Sequence, residues 1–204
     1  MRLLTIILLL TTVSAYGQKF PSEFWHKGKL VTSDGDTLEG KLKYDLSRDL
    51  VQVDLNNQIF TFGAKKILYF EIFDVTVDNY RQFYSIPYNI TQGYKSEILF
   101  EVLYEGKLTL LTRESVSQKS SSYNNNNYYW SGNSFTRTVL TYEFFFLTSK
   151  GEITLFTQKR KDLLDIMKDR YTQMKKYIKT YGLKTDDKGD LARITAYYNS
   201  LIQS

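Results

Sequence analysis

The sequence predicts an α+β protein. A mostly antiparallel β portion, arranged as a sandwich or as open barrel-like sheets, precedes a C-terminal amphipathic helical hairpin. Three observations carry this reading. Apolar residues alternate with period two from residue 28 to residue 156. Turn sequences separate these runs at roughly 8–12 residue intervals, the rhythm of an all-β meander. From residue 157 the apolar spacing changes to 3 and 4, which places side chains on one helical face.

Lys29-Leu30-Val31-Thr32 begins the first strand. Ser33-Asp34-Gly35-Asp36 turns it, since Asp and Gly accept the positive φ of a tight hairpin. Residues 37–44 then alternate Leu38, Gly40, Leu42 and Tyr44 against Glu39, Lys41 and Lys43. Val51, Val53 and Leu55 share the next face, and Asn56-Asn57 turns the chain into Ile59-Phe60-Thr61-Phe62. Residues 67–73 are more continuously apolar and are expected to be buried on both faces. Residues 80–86 form a strand that Pro87 ends. Residues 96–104 and 107–112 form a hairpin about Glu105-Gly106. Residues 114–135 are polar and repetitive, with Ser120-Ser121-Ser122 and Asn124-Asn125-Asn126-Asn127, and are expected to be a flexible loop. Residues 138–148 hold Tyr142, Phe144, Phe145 and Phe146, and Ser149-Lys150-Gly151 turns them into residues 152–156.

In the tail, Leu164, Met167, Tyr171, Met174, Ile178 and Tyr181 form one stripe. Gly182 closes that helix, with Leu183 covering its last turn. Asp186 or Asp187 opens a second helix with a stripe of Leu191, Ile194, Tyr198 and Leu201. The expected organisation is therefore a leader at 1–17, a β-rich domain at 18–156, and a helical hairpin at 157–204 packed on the sheet.

The leader reads as a secretory signal peptide. Arg2 precedes a short apolar run, and Ala15 and Gly17 supply the small residues a signal peptidase requires before Gln18. Cleavage is expected between Gly17 and Gln18. The apolar run is shorter than the ~20 residues of a membrane span, so no transmembrane segment is expected after cleavage. The chain has no cysteine. That excludes disulfides, thiolate metal sites, cysteine nucleophiles and a lipoprotein anchor. The expected destination is the periplasm or the extracellular space.

The segment Ser14-Ala15-Tyr16-Gly17-Gln18, the opening from Gly28 through Asp34-Gly35-Asp36 to Gly40, and the ending Tyr197-Tyr198-Asn199-Ser200-Leu201 resemble exported β-rich proteins of Bacteroidota. The resemblance implies an exported β-rich chain and lends no catalytic residues.

Chemical motifs are sparse. His26 is the single histidine; a general base or a metal ligand is one reading, but with no second histidine it reads as an aromatic-flanked residue beside Trp25 before the first strand. Glu97, Glu101 and Glu105 share a strand face, as expected for a row of acids facing solvent. Asp34 and Asp36 start like a calcium loop, but position 45 is Asp where that loop ends in Glu, so no metal is expected. Gly63-Ala64-Lys65-Lys66 lacks phosphate-loop spacing, and no cofactor is expected.

The net charge is +5. From residue 157 onward 11 basic residues face 6 acidic ones, so the basicity belongs to the tail. Lys161, Lys168 and Lys175 recur every seven residues and offer a weak membrane-surface contact; export removes nucleic acid as a partner. Tyr128, Tyr129 and Trp130 lie among asparagines, where flat rings and amides suit a sugar or a protein surface. The expectation is an exported envelope protein, a non-catalytic binding or structural module whose partner is an envelope protein or glycan. The rival expectation is an acid-based hydrolase of envelope or extracellular glycans that uses paired carboxylates.

Overall fold

The computed structural model describes residues 19–91, 93–121 and 135–202. The predicted cleavage site at Gly17–Gln18 lies outside them, as do Tyr128, Tyr129 and Trp130.

Ten strands form one antiparallel sheet in the order β10-β9-β8-β7-β6-β5-β1-β2-β3-β4. They are β1 (His26–Thr32), β2 (Thr37–Asp45), β3 (Leu50–Leu55), β4 (Gln58–Gly63), β5 (Ile67–Asp74), β6 (Asn79–Thr91), β7 (Tyr94–Tyr104), β8 (Leu108–Ser121), β9 (Phe135–Thr148) and β10 (Ile153–Phe156). The sheet is open, with β4 and β10 at its edges. Local sequence fixes its turns. Gly35 has φ 93°, and Asn56 and Asn57 have φ 54° and 67°, the left-handed pair of a type I′ hairpin.

The sheet is strongly curled. β2 and β8 are five places apart in its order, which in a flat sheet is roughly 24 Å at the usual strand spacing. Yet Tyr44 on β2 hydrogen-bonds Glu114 on β8. The concave face carries two apolar cores. One gathers Leu30, Leu42, Val51, Val53, Phe70, Ile72, Phe83 and Leu99. The other joins Leu108, Leu110, Phe144 and Phe146 to the helices through Leu163, Met167, Met174, Ile178, Leu191 and Ile194. A smaller cluster of Ile98, Phe100, Leu111 and Phe145 lies on the opposite face of β7–β9.

The helices are α1 (Arg160–Ile166), α2 (Tyr171–Thr180) and α3 (Lys188–Ile202). Gly182 (φ 61°) ends α2, with the Leu183 N–H donating to the Ile178 carbonyl at 3.0 Å. Asp187 caps α3 by accepting the Asp190 N–H at 2.9 Å. No helix among the described residues is long and apolar enough to cross a membrane.

Several expectations need correction. The strip 114–121 is not loop: β8 continues to Ser121 and pairs with β9 as far as Ser121↔Phe135. Its β-branched partners Thr136, Thr138, Val139 and Thr141 favour extended backbone even though little packs on them. β6 runs through Pro87. β5 alternates, with Leu68 53% exposed, because only its concave face meets the core. The predicted single helix from 157 to 181 breaks at a 3-10 turn over Lys168–Arg170. There the Arg170 Nε and Nη2 donate to the Leu201 carbonyl at 3.2 Å. Within α2, Met174 and Ile178 are buried, whereas Tyr171, its first residue, and Tyr181, its C-cap, are exposed at the two ends of the helix. Lys161, Lys168 and Lys175 are exposed but fall on α1, the turn and α2, so no single helix carries them as a stripe.

Candidate functional site

Charged side chains stand where the concave row should be apolar, at the seam between the two cores. Asp74 continues the row of Phe70 and Ile72 on β5, and Arg81 precedes Phe83 in phase on β6. Glu101 follows Leu99 on β7, Glu114 follows Leu110 and Thr112 on β8, and Tyr44 follows Leu42 on β2. All five are buried: Asp74 is 0% exposed and Arg81, the most accessible, 7%.

Arg81 is the hub. Its Nε donates to Glu101 Oε1 at 3.0 Å and its Nη2 to Glu101 Oε2 at 2.8 Å, a bidentate pair. Nη2 also donates to Glu114 Oε2 at 2.8 Å. Nη1 donates to Asp74 Oδ2 at 3.0 Å and to the Tyr44 hydroxyl oxygen at 2.9 Å. All five guanidinium N–H groups are thereby used. The plane of charge also lies over the Phe83 ring, 5.1 Å from its centroid.

The partners are equally committed. The Tyr44 hydroxyl donates to Glu114 Oε1 at 2.5 Å. Asp74 Oδ1 accepts from the Thr76 backbone N–H and hydroxyl at 2.9 and 2.6 Å. Lys188, the first residue of α3, donates to both oxygens of Glu101 at 2.8 and 3.0 Å. The helical region is thus pinned to the hub. Burial pushes the Tyr44 hydroxyl up, so it serves as a proton donor. Burial alone would raise Glu101, but the Arg81 hydrogen bonds and charge, then Lys188, hold it below the usual carboxylate range. Asp74 is likewise lowered, with Thr76 and Arg81 outweighing its burial.

A second anchor lies next to the first. β7 and β8 pair only over Glu101–Tyr104 and Leu110–Thr112. Beyond that point the Leu99 N–H donates to Asp49 Oδ1 at 2.8 Å, and Arg113 Nη1 donates to the Leu99 carbonyl and to Asp49 Oδ1, both at 2.7 Å. Arg113 Nη2 also reaches the Leu46 carbonyl. The β2–β3 corner thereby fills the split between β7 and β8.

The hub separates two cavities. One of about 390 Å³ is lined by Arg81, Glu101, Lys188, Tyr142 and Tyr80. The other, about 520 Å³, reaches Tyr44 and Glu114 and is walled by Glu23, Arg48, Gln52, Val116 and Leu140.

Glu101 corrects the expected row of solvent-facing acids: it is 3% exposed, while Glu105 is exposed and Glu97 half-buried. His26 is buried, its Nε2–H donating to the Pro21 carbonyl at 2.7 Å and its ring stacked on Tyr44. Its Nδ1 has no partner among the described residues. No group of three or more His, Cys, Asp or Glu side chains that could hold a metal occurs among the described residues. Reading the sequence singled out Glu101 but not Arg81, Glu114, Asp74, Tyr44 or Lys188 as a set. The signal available was a charge in phase with buried apolar neighbours.

Comparison with family models, curated proteins and solved structures found no match to this chain.

Proposed function

We propose that the chain is a non-catalytic binding or structural module of the cell envelope. The observation that carries this is the saturation of the buried ion cluster. Every Arg81 N–H and every oxygen of Asp74, Glu101 and Glu114 is engaged within the protein. Carboxylates held in this way brace a fold and have no free valence for acid–base work. The 520 Å³ cavity beside the cluster has the size of a ligand site and is lined by both polar and apolar side chains. The aromatic residues Tyr128, Tyr129 and Trp130 supply a further contact surface in this reading.

The glycan-hydrolase alternative has one observation in its favour. Glu101 and Glu114 converge on a single nitrogen, Arg81 Nη2, at 2.8 Å each. The guanidinium, however, occupies the gap a glycosidic bond would need. Glu101 is also held low, the opposite of a general acid. The test pairs two measurements. Replacing Tyr128, Tyr129 and Trp130 by Ser should leave stability unchanged and abolish retention on envelope extract. Glycoside and ester substrates should show no turnover. A rate that Glu101→Gln or Glu114→Gln removes would reverse the choice of class.

A further inference from the structure

We propose that β4 is a self-pairing edge: two copies of the chain join β4 to β4, antiparallel, about a two-fold axis at Phe60. β4 ends the sheet and pairs with β3 from Leu55↔Gln58 to Leu50↔Gly63, with no strand on its other side among the described residues. The type I′ turn at Asn56-Asn57 closes the hairpin on the Leu55–Gln58 pair, which exchanges both hydrogen bonds. Alternation then points the N–H and C=O of Gln58, Phe60 and Phe62 at β3. Those of Ile59 and Thr61 point outward.

Edges of this kind are normally guarded by charge, proline or brevity. The opposite edge, β10, is four residues long and ends on buried Phe156. β4 reads Gln-Ile-Phe-Thr-Phe-Gly, with no charge and no proline, and exposes Ile59 (56%) and Phe60 (39%). An outward row of backbone donors and acceptors matches that of another extended strand.

Three features favour a second copy as that strand. With the axis at Phe60, Ile59 of each copy faces Thr61 of the other, so the outward groups satisfy each other in four hydrogen bonds. Phe60 meets Phe60 in the pair without hydrogen bonds, where opposing side chains approach most closely. It does so on the face of Val53, its partner on β3, so the ring pair extends the buried row of Val51 and Val53 across the interface. Finally, the uncharged strand brings no like charges together in a chain of net charge +5, because Lys65 and Lys66 lie beyond the paired residues.

The cysteine-free chain makes the register directly testable. Under mild oxidation Phe60→Cys should give a disulfide-linked dimer, since its Cα atoms would lie within bridging range. Ile59→Cys and Thr61→Cys should each form no disulfide cross-link alone, because each would be two residues out of register with its own copy. Mixed together, they should cross-link. Sedimentation of the unsubstituted chain should show a dimer that Phe60→Lys converts to a monomer with an unchanged circular dichroism spectrum. A chain that sediments as a monomer, with its edge left to a foreign strand, would overturn the proposal. So would a dimer that persists in Phe60→Lys, or cross-linking of Ile59→Cys alone.

Discussion

Tyr44 and Glu114, 70 residues apart in the chain, share a buried 2.5 Å hydrogen bond across the concave face of the sheet. It ties the N-terminal half of the sheet to the strand on which α3 packs. Arg81 lies between the two and bonds both of them. The curl of the sheet and the saturation of the cluster are therefore one structural fact.

Tyr44→Phe should test that tie directly. The change keeps the ring that packs on Phe83 and removes one donor and one acceptor. Glu114 Oε1 and one Arg81 N–H lose a partner in a buried site, at a cost of about 1–3 kcal/mol. Urea unfolding at neutral pH should show a lower midpoint with an unchanged slope. An unchanged midpoint would mean that the hydroxyl carries no load.

Asn199 makes a separate tie, from α3 to the sheet. Its Oδ1 accepts the Leu108 N–H at 3.0 Å and its Nδ2 donates to the Leu108 carbonyl at 2.8 Å, as a neighbouring strand would. The close approach requires Gly106, where an added Cβ would lie 2.6 Å from Asn199 Oδ1. Gly106→Ala and Asn199→Ala should each destabilise by about 1–3 kcal/mol. The double substitution should cost clearly less than the sum, because the Ala side chain at 199 leaves room for the new Cβ. Additive costs would show that the two positions do not interact.

Met174 is fully buried among residues of the helical core. Met174→Asp should destabilise by several kcal/mol, since it places an unpaired carboxylate there. Thermal unfolding reads the effect. An unchanged melting temperature would place this face of α2 in solvent.

Much of the framework is legible because its causes are local. Asn56-Asn57, Gly182 and the Asp187 cap each act within a few residues, and strand phase follows from alternation. The ion cluster is not local. Arg81 meets partners 7, 20, 33 and 37 residues away, and α3 supplies the cation that completes Glu101. Which in-phase charges meet depends on the curl of the sheet, and no window of sequence encodes it. The β8–β9 arm was hidden for another reason. From Ser115 to Ser121 the side chains of β8 are polar apart from Val116, and no core covers them, so period two carries little hydrophobic signal there. The break before α2 likewise depends on Arg170 meeting the end of α3.

Removing the hub should invert the pH dependence of stability. In the native chain Asp74 and Glu101 are held below their usual range. Their contribution is thus fully present above the ordinary carboxylate pKa of about 4 and is lost as pH falls through the lowered folded values. Arg81→Met fills similar volume but leaves three carboxylates buried, with Lys188 the only cation among the described residues bonded to any of them. Breaking such a cluster costs about 3–5 kcal/mol at neutral pH. Without the Arg81 cation, the burial of Asp74, the largest influence on it, raises its folded pKa against the remaining Thr76 hydrogen bonds. For groups shifted in that direction, stability is greatest below the unfolded pKa and declines as pH rises through the folded one. The variant should therefore gain stability between neutral pH and about pH 4, where the native chain gains none. If Arg81→Met fails to fold at pH 7, the same reasoning expects acid to restore it, which circular dichroism reads directly. A variant whose stability follows the native pH profile would show that the carboxylates do not depend on Arg81.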